Sequence, residues 1–164
     1  MALIKFILKR IYLYTIILLT ISLVFTLVPF HYIHPEVRPY YEETMEIVNH
    51  YCEKDQINLP NRTTIGFIND RLQSNEDGDT EVATCYLLPG GWSIQFNANH
   101  WRRLSNDDRK QLVLHEMTHC LFKIGHVADP NHYMYYTTTK RVLTRSEVDE
   151  QFREVLLNVC LKSL

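Results

Sequence analysis

The sequence has no excess of positive charge: 17 Lys and Arg stand against 19 Asp and Glu, a formal net charge of −2 at pH 7. There is no basic stripe of the kind that offsets phosphate charge, so a nucleic-acid partner is excluded. The chain is also short. Its 164 residues leave room for one compact domain and an N-terminal segment, and a second folded domain is not expected. Charge of either sign is missing from Ile11 to Phe30, a run of 20 residues. As a helix rising about 1.5 Å per residue, such a run would span a hydrocarbon core of about 30 Å, so a transmembrane helix is expected there.

Two further absences shape this reading. Thr26-Leu27-Val28-Pro29-Phe30 offers no small-residue cleavage site, and the run is longer than the roughly 7–15 apolar residues of a signal peptide. An uncleaved anchor is therefore favoured over a removed signal. No acidic residue precedes Glu36, whereas Lys5, Lys9 and Arg10 lie before or at the edge of the run. The positive-inside tendency then places the N-terminus in the cytoplasm and the remainder outside, in a periplasmic or extracellular space, as a single-pass membrane protein. Removing residues 1–30 leaves 14 Lys and Arg against 19 Asp and Glu, so the outward part is acidic. Residues 1–33 are read as a cytoplasmic stub and anchor, and residues 34–164 as the folded domain. Cys52, Cys85, Cys120 and Cys160 would lie on an oxidising side, where up to two disulfides are possible in any of three pairings; buried free thiols are the alternative.

Along the outer part, His31–Pro35 reads as a short loop. A helix from about Glu36 to Lys54 follows, with Tyr41, Met45, Val48 and Cys52 on its apolar side. Thr63–Ile68 has strand composition, with Gly66 as a candidate bulge. The polar segment Gln73–Thr80 is a loop, and its Asp77-Gly78-Asp79 lacks the ligand pattern of a calcium site. Val82–Leu88 and Trp92–Asn97 read as strands joined at Pro89-Gly90-Gly91. Asn61-Arg62-Thr63 is an acceptor pattern for N-glycosylation in a eukaryotic secretory host.

Ser105 and Asp108 form a capping-box pattern that starts a helix over about Asn106–Phe122. This helix carries Leu114-His115-Glu116-Met117-Thr118-His119. Residues four apart lie one turn above each other, so the two imidazoles can grip one metal ion. Glu116 is displaced about 100° around the axis, where it can take a proton from a water activated by the metal. Thr144 and Glu147 cap a last helix whose apolar stripe is Val148, Phe152, Val155, Leu156 and Val159.

From Leu112 to Tyr136 the chain resembles the metzincin metallopeptidases. Their signature is H-E-x-x-H-x-x-G-x-x-H followed by a methionine-containing turn. Asp129-Pro130-Asn131 with Met134-Tyr135 is similar to that turn, written S-I-M-Y in the family, which makes Met134 the turn methionine. Two departures stand out: Phe122 occupies the place of the family glycine, and His126 lies one residue later than the signature expects, with Gly125 before it to turn the chain back. The H-E-x-x-H-x6-H spacing also resembles short bacterial zinc-peptidase domains of the H-E-L-G-H-C type.

The resemblance implies an α+β zincin-type domain with a short twisted mixed sheet, an active-site helix and a C-terminal helix, here preceded by the transmembrane helix. It also implies a zinc metallopeptidase with one catalytic Zn2+ on His115, His119 and His126, His132 being the substitute third ligand. Glu116 would be the base, and Tyr136 would stabilise the oxyanion. The substrate, a peptide or protein, would lie along an edge strand, for which Trp92–Asn97 is the candidate. His100, Trp101, Arg102 and Arg103 would either shape a subsite or serve structure. No pro-segment with a cysteine switch is visible. A gluzincin-type site would instead take a third ligand from Glu147, Glu150 or Glu154. A zinc-stabilised ectodomain that binds a partner without turnover is the non-enzymatic alternative, against which the retained Glu116 argues.

Overall fold

The computed structural model describes residues 9–20, 29–59, 61–69, 82–88, 90–135 and 143–161. The chain divides into two compact units, residues 1–30 and residues 31–164.

In the first unit, residues 9–20 are helical. Thr15 and Thr20 donate their hydroxyls back to the carbonyls of Ile11 and Ile16 at 2.8 and 3.0 Å, so their polar atoms are satisfied within the helix. Among the described residues no helix is long and apolar enough to cross a membrane. This corrects the expected transmembrane helix, and with it the expected single-pass membrane placement with an outward-facing domain. The helical residues described, 9–20, account for about 18 Å of rise against a hydrocarbon core of about 30 Å, and the charged Lys9 and Arg10 are among them. Part of the uncharged run, residues 21–28, lies outside the described residues, as does the 73–80 loop with its Asp77-Gly78-Asp79.

The second unit is α+β with a mixed sheet. In chain order it contains β1 (Phe30–Ile33), α1 (Arg38–Tyr51), a single 3₁₀ turn (Lys54–Gln56), β2 (Arg62–Ile68), β3 (Ala83–Leu88), β4 (Gly91–Asn97), α2 (Ala98–Trp101), α3 (Asn106–Phe122) and α4 (Arg145–Cys160). The strand order is β1-β2-β4-β3. β2 runs parallel to β4 from Arg62↔Gly91 to Ile68↔Asn97 without a break in register, so Gly66 is not a bulge. β3 returns antiparallel from Ala83↔Phe96 to Leu88↔Gly91, and Gly90 takes φ +74° in the turn, a conformation glycine adopts without steric penalty.

Two readings of the sequence are corrected here. The segment expected as a loop at His31–Pro35 begins as strand β1. The candidate edge strand, Trp92–Asn97, is internal: β4 has β2 on one side and β3 on the other, so neither row of its backbone groups is open to a peptide. Among the described residues, the antiparallel edge of the sheet is β3.

α3 forms where Ser105 and Asp108 predict it. The Ser105 hydroxyl accepts from Asp108 N–H at 3.2 Å and the Asp108 carboxylate accepts from Ser105 N–H at 3.3 Å. Leu112, Val113, Leu114, Met117, Cys120 and Leu121 are all buried, at most 4% exposed. These six spread over about 200° of the helix circumference, wider than the apolar stripe of a surface helix. α3 accordingly packs on β3 and β4, with α1 and α4 against it as well. Lys110, also buried, is neutralised by Glu43 of α1 at 3.0 Å and Asp149 of α4 at 2.7 Å, which ties the three helices together.

Both disulfides form: Cys52–Cys160 joins the end of α1 to the end of α4, and Cys85–Cys120 joins β3 to α3. The first closes a separation of 108 residues. Chain-entropy arguments assign such a closure roughly 4–5 kcal/mol, and measured removals lose about 2–5 kcal/mol. Replacing Cys52 and Cys160 together by Ala is expected to lower unfolding stability within that range, read as a reduced denaturant midpoint. An unchanged midpoint would contradict the structural role of this bond.

Candidate metal centre

His115 and His119 project from the same face of α3. The chain leaves the helix at Lys123, whose φ of 56° is left-handed, and Lys123 N–H donates to the His119 carbonyl at 3.0 Å. Gly125, expected to turn the chain back, does so without a positive φ; the left-handed residue is Lys123. It stands one residue after the place of the family glycine, which matches the one-residue displacement of His126. A lysine there carries a steric penalty of about 1–2 kcal/mol relative to right-handed backbone.

The turn returns His126 to the helix. Single ligand atoms of His115, His119 and His126 lie within 4.8 Å of one another, and among the described residues this is the group able to hold a metal ion. The ring centroids stand 4.7 Å (His115–His119), 5.2 Å (His115–His126) and 4.8 Å (His119–His126) apart.

The tautomers of two rings follow from their partners. His115 Nδ1 is 2.8 Å from the Tyr133 carbonyl oxygen and His119 Nδ1 is 2.5 Å from the Ile124 carbonyl oxygen. A carbonyl can only accept, so both Nδ1 atoms carry the proton. In the neutral rings both Nε2 atoms then present lone pairs, and they face each other at 3.0 Å. Two lone pairs so placed repel unless a cation sits between them. Tetrahedral zinc with bonds of about 2.0–2.1 Å would separate two such nitrogens by about 3.3 Å, so the pair fits a metal of this kind. Burial lowers the pKa of His115 to about 4, against the donation to Tyr133, which raises it, and the ring is therefore neutral and able to ligate near pH 7.

The carbonyl that orients His115 belongs to a loop with its own internal bonds. Asp129 Oδ1 accepts from Asn131 N–H at 2.8 Å, His132 N–H donates to the Asp129 carbonyl at 3.1 Å, and Val127 N–H donates to the Met134 carbonyl at 2.9 Å. The last bond fixes the residue after His126 to the turn methionine. Met134 is fully buried and Tyr133 is 1% exposed. Thr118 gives its hydroxyl proton to the Leu114 carbonyl at 2.7 Å, so the Tyr133 phenol donates to Thr118 Oγ1 at 3.1 Å. Burial raises the Tyr133 pKa, which keeps the phenol protonated.

Other candidates fall elsewhere. His132 Nδ1 accepts from Met134 N–H at 3.0 Å and its ring stacks on Tyr133, outside the histidine cluster. The Glu147 carboxylate closes the α4 capping box, accepting from Thr144 N–H and Oγ1–H at 2.8 Å each, and no α4 glutamate joins the cluster. Trp101 is a core residue at 1% exposure with the Arg109 guanidinium 5.4 Å over its ring. Tyr136 lies outside the described residues. Glu116 is 5% exposed and shares a helix face with Cys120, one turn on, whose sulfur is bonded to Cys85 of β3. Glu116 thus lies one turn before the residue that bonds α3 to β3.

A family model described as "Putative phage metallopeptidase" matches residues 32–157, most of the chain. The chain belongs to this metallopeptidase family. No curated protein and no solved structure matches it. As a metallopeptidase, the protein acts on peptide or protein substrates with a bound metal ion, and among the described residues the three histidines form a group able to hold one.

Proposed function

We propose that the protein is a zinc endopeptidase of metzincin-like design, its 34–164 region being the catalytic domain. One zinc ion is held by the Nε2 atoms of His115 and His119 and by His126. The observation that carries this reading is the pair of Nε2 lone pairs facing each other at 3.0 Å, fixed by two carbonyl bonds on the opposite sides of the rings. The buried Met134, bonded through its carbonyl to the residue after His126, supports the metzincin-like assignment.

Zinc, when bound, supplies a Lewis acid that acidifies water and polarises the scissile carbonyl. Glu116 accepts the proton of the attacking water and returns it to the leaving amine. A peptide extended along the free side of β3 would use main-chain bonding of the strand-addition kind. The Cys85–Cys120 bond ties that strand to α3 one turn after Glu116. Tyr86, Leu87 and Leu88, 38%, 57% and 53% exposed, offer apolar contacts along it. Tyr136, two residues after Met134, is the proposed oxyanion donor.

The test is hydrolysis of an unstructured polypeptide such as casein by the purified protein. Cleavage should stop with a chelator and return when zinc is added back. A zinc-replete preparation that binds the polypeptide and leaves it intact would contradict the reading and favour a non-enzymatic zinc-stabilised module.

A further inference from the structure

Gln151 sits on α4, away from the three histidines in sequence, yet its amide holds the loop that aims one of them. Its Oε1 accepts from Tyr133 N–H at 2.8 Å, and its Nε2 donates to the Asn131 carbonyl at 2.8 Å. One side chain thus grips the loop on both sides of His132. The carbonyl of the same residue, in the next peptide plane, accepts from His115 Nδ1 at 2.8 Å. The neighbouring Phe152 meets the Tyr133 ring edge-on at 6.1 Å, so consecutive residues of α4 restrain the backbone and the ring of Tyr133.

We propose that Gln151 is a positioning residue for the metal centre, acting through the Tyr133 backbone on the orientation and tautomer of His115. The inference rests on the zinc reading given above. A carbonyl free to rotate loses its aim at Nδ1, and His115 can then reach its other tautomer, with the proton on the nitrogen that should face the metal. Hydrogen-bond partners that orient metal-ligating histidines typically change metal affinity by about 10–100-fold when removed. Gln151 stands one bond further out, and its two bonds act together on one short loop.

The experiment measures zinc affinity by competition with a chromophoric chelator, and the visible spectrum of the protein saturated with Co2+, in the full chain and three variants. Gln151→Met keeps the length and bulk of the side chain and removes both hydrogen bonds. Gln151→Glu keeps the acceptor for Tyr133 N–H and loses the donor to Asn131. Val155→Ala, one turn on in the same helix and half-buried, removes apolar contact and neither of the two hydrogen bonds. The expected result is a zinc affinity about tenfold or more lower in Gln151→Met, a smaller loss in Gln151→Glu, and an altered cobalt spectrum in Gln151→Met at saturation. Val155→Ala should match the parent in both readouts.

Parental affinity and an unchanged cobalt spectrum in Gln151→Met would overturn the proposal while leaving the zinc site intact. Equal losses in Gln151→Met and Val155→Ala would overturn it too, by tracing the effect to helix stability. A parent chain that binds neither metal would overturn the zinc reading itself, and this proposal with it.

Discussion

Glu116→Gln is expected to lower kcat at least about a hundredfold in zinc-replete protein, with zinc content and folding unchanged. The substitution keeps shape and hydrogen-bonding capacity and removes only the carboxylate that accepts a proton. General-base assistance contributes about 10²–10⁴-fold, or roughly 3–5 kcal/mol of barrier. Glu116 is 5% exposed on a face of α3 shared with the disulfide to β3, so the amide should occupy the same space without repacking. Zinc and cleavage have to be measured on one preparation, because a missing base and a missing metal give the same silence in an activity assay. Equal turnover in the zinc-replete variant would remove Glu116 from the mechanism.

Loss of zinc is the second large effect. His115→Ala and His119→Ala each remove one of the two opposed Nε2 lone pairs, and either should lower zinc affinity by more than about a hundredfold, beyond the range for outer partners of a metal ligand. His126 is exposed and enters from the loop, so His126→Ala should weaken retention while leaving the α3 pair formed. His132→Ala should retain zinc, since the His132 ring serves Met134 N–H and Tyr133 instead. Dialysis against a zinc buffer followed by metal analysis orders the four variants. Full occupancy in His126→Ala together with loss in Glu147→Ala would move the third ligand to α4 and contradict the arrangement of three imidazoles.

The features set by local chemistry were legible in the sequence. The Ser105–Asp108 box places the start of α3, the four-residue spacing places His115 and His119 on one face, and the Thr144–Glu147 box starts α4. What escaped depends on partners distant in the chain. Alternation along Trp92–Asn97 marks a strand, yet only its pairing with both β2 and β3 makes it internal. β1 has four residues and adjoins an apolar run, so it carries no periodicity of its own. Hydropathy over Ile11–Phe30 measures composition, and among the described residues that composition does not amount to a membrane-spanning helix. The disulfide pairing followed from the fold, which brings the ends of α1 and α4 together and lays β3 on α3. Tyr133 and Gln151 gave no motif signal because their roles lie in a backbone carbonyl and an amide. A buried aromatic beside the turn methionine and a polar residue next to the apolar Phe152 were the available hints.

Zinc K-edge X-ray absorption on the purified full chain decides whether three imidazoles hold one zinc ion. The expected result is about one zinc per chain with nitrogen and oxygen neighbours at about 2.0–2.1 Å, an imidazole scattering pattern from three rings, and no sulfur. A sulfur neighbour at about 2.3 Å, or a protein that retains no zinc at micromolar free metal, would contradict it.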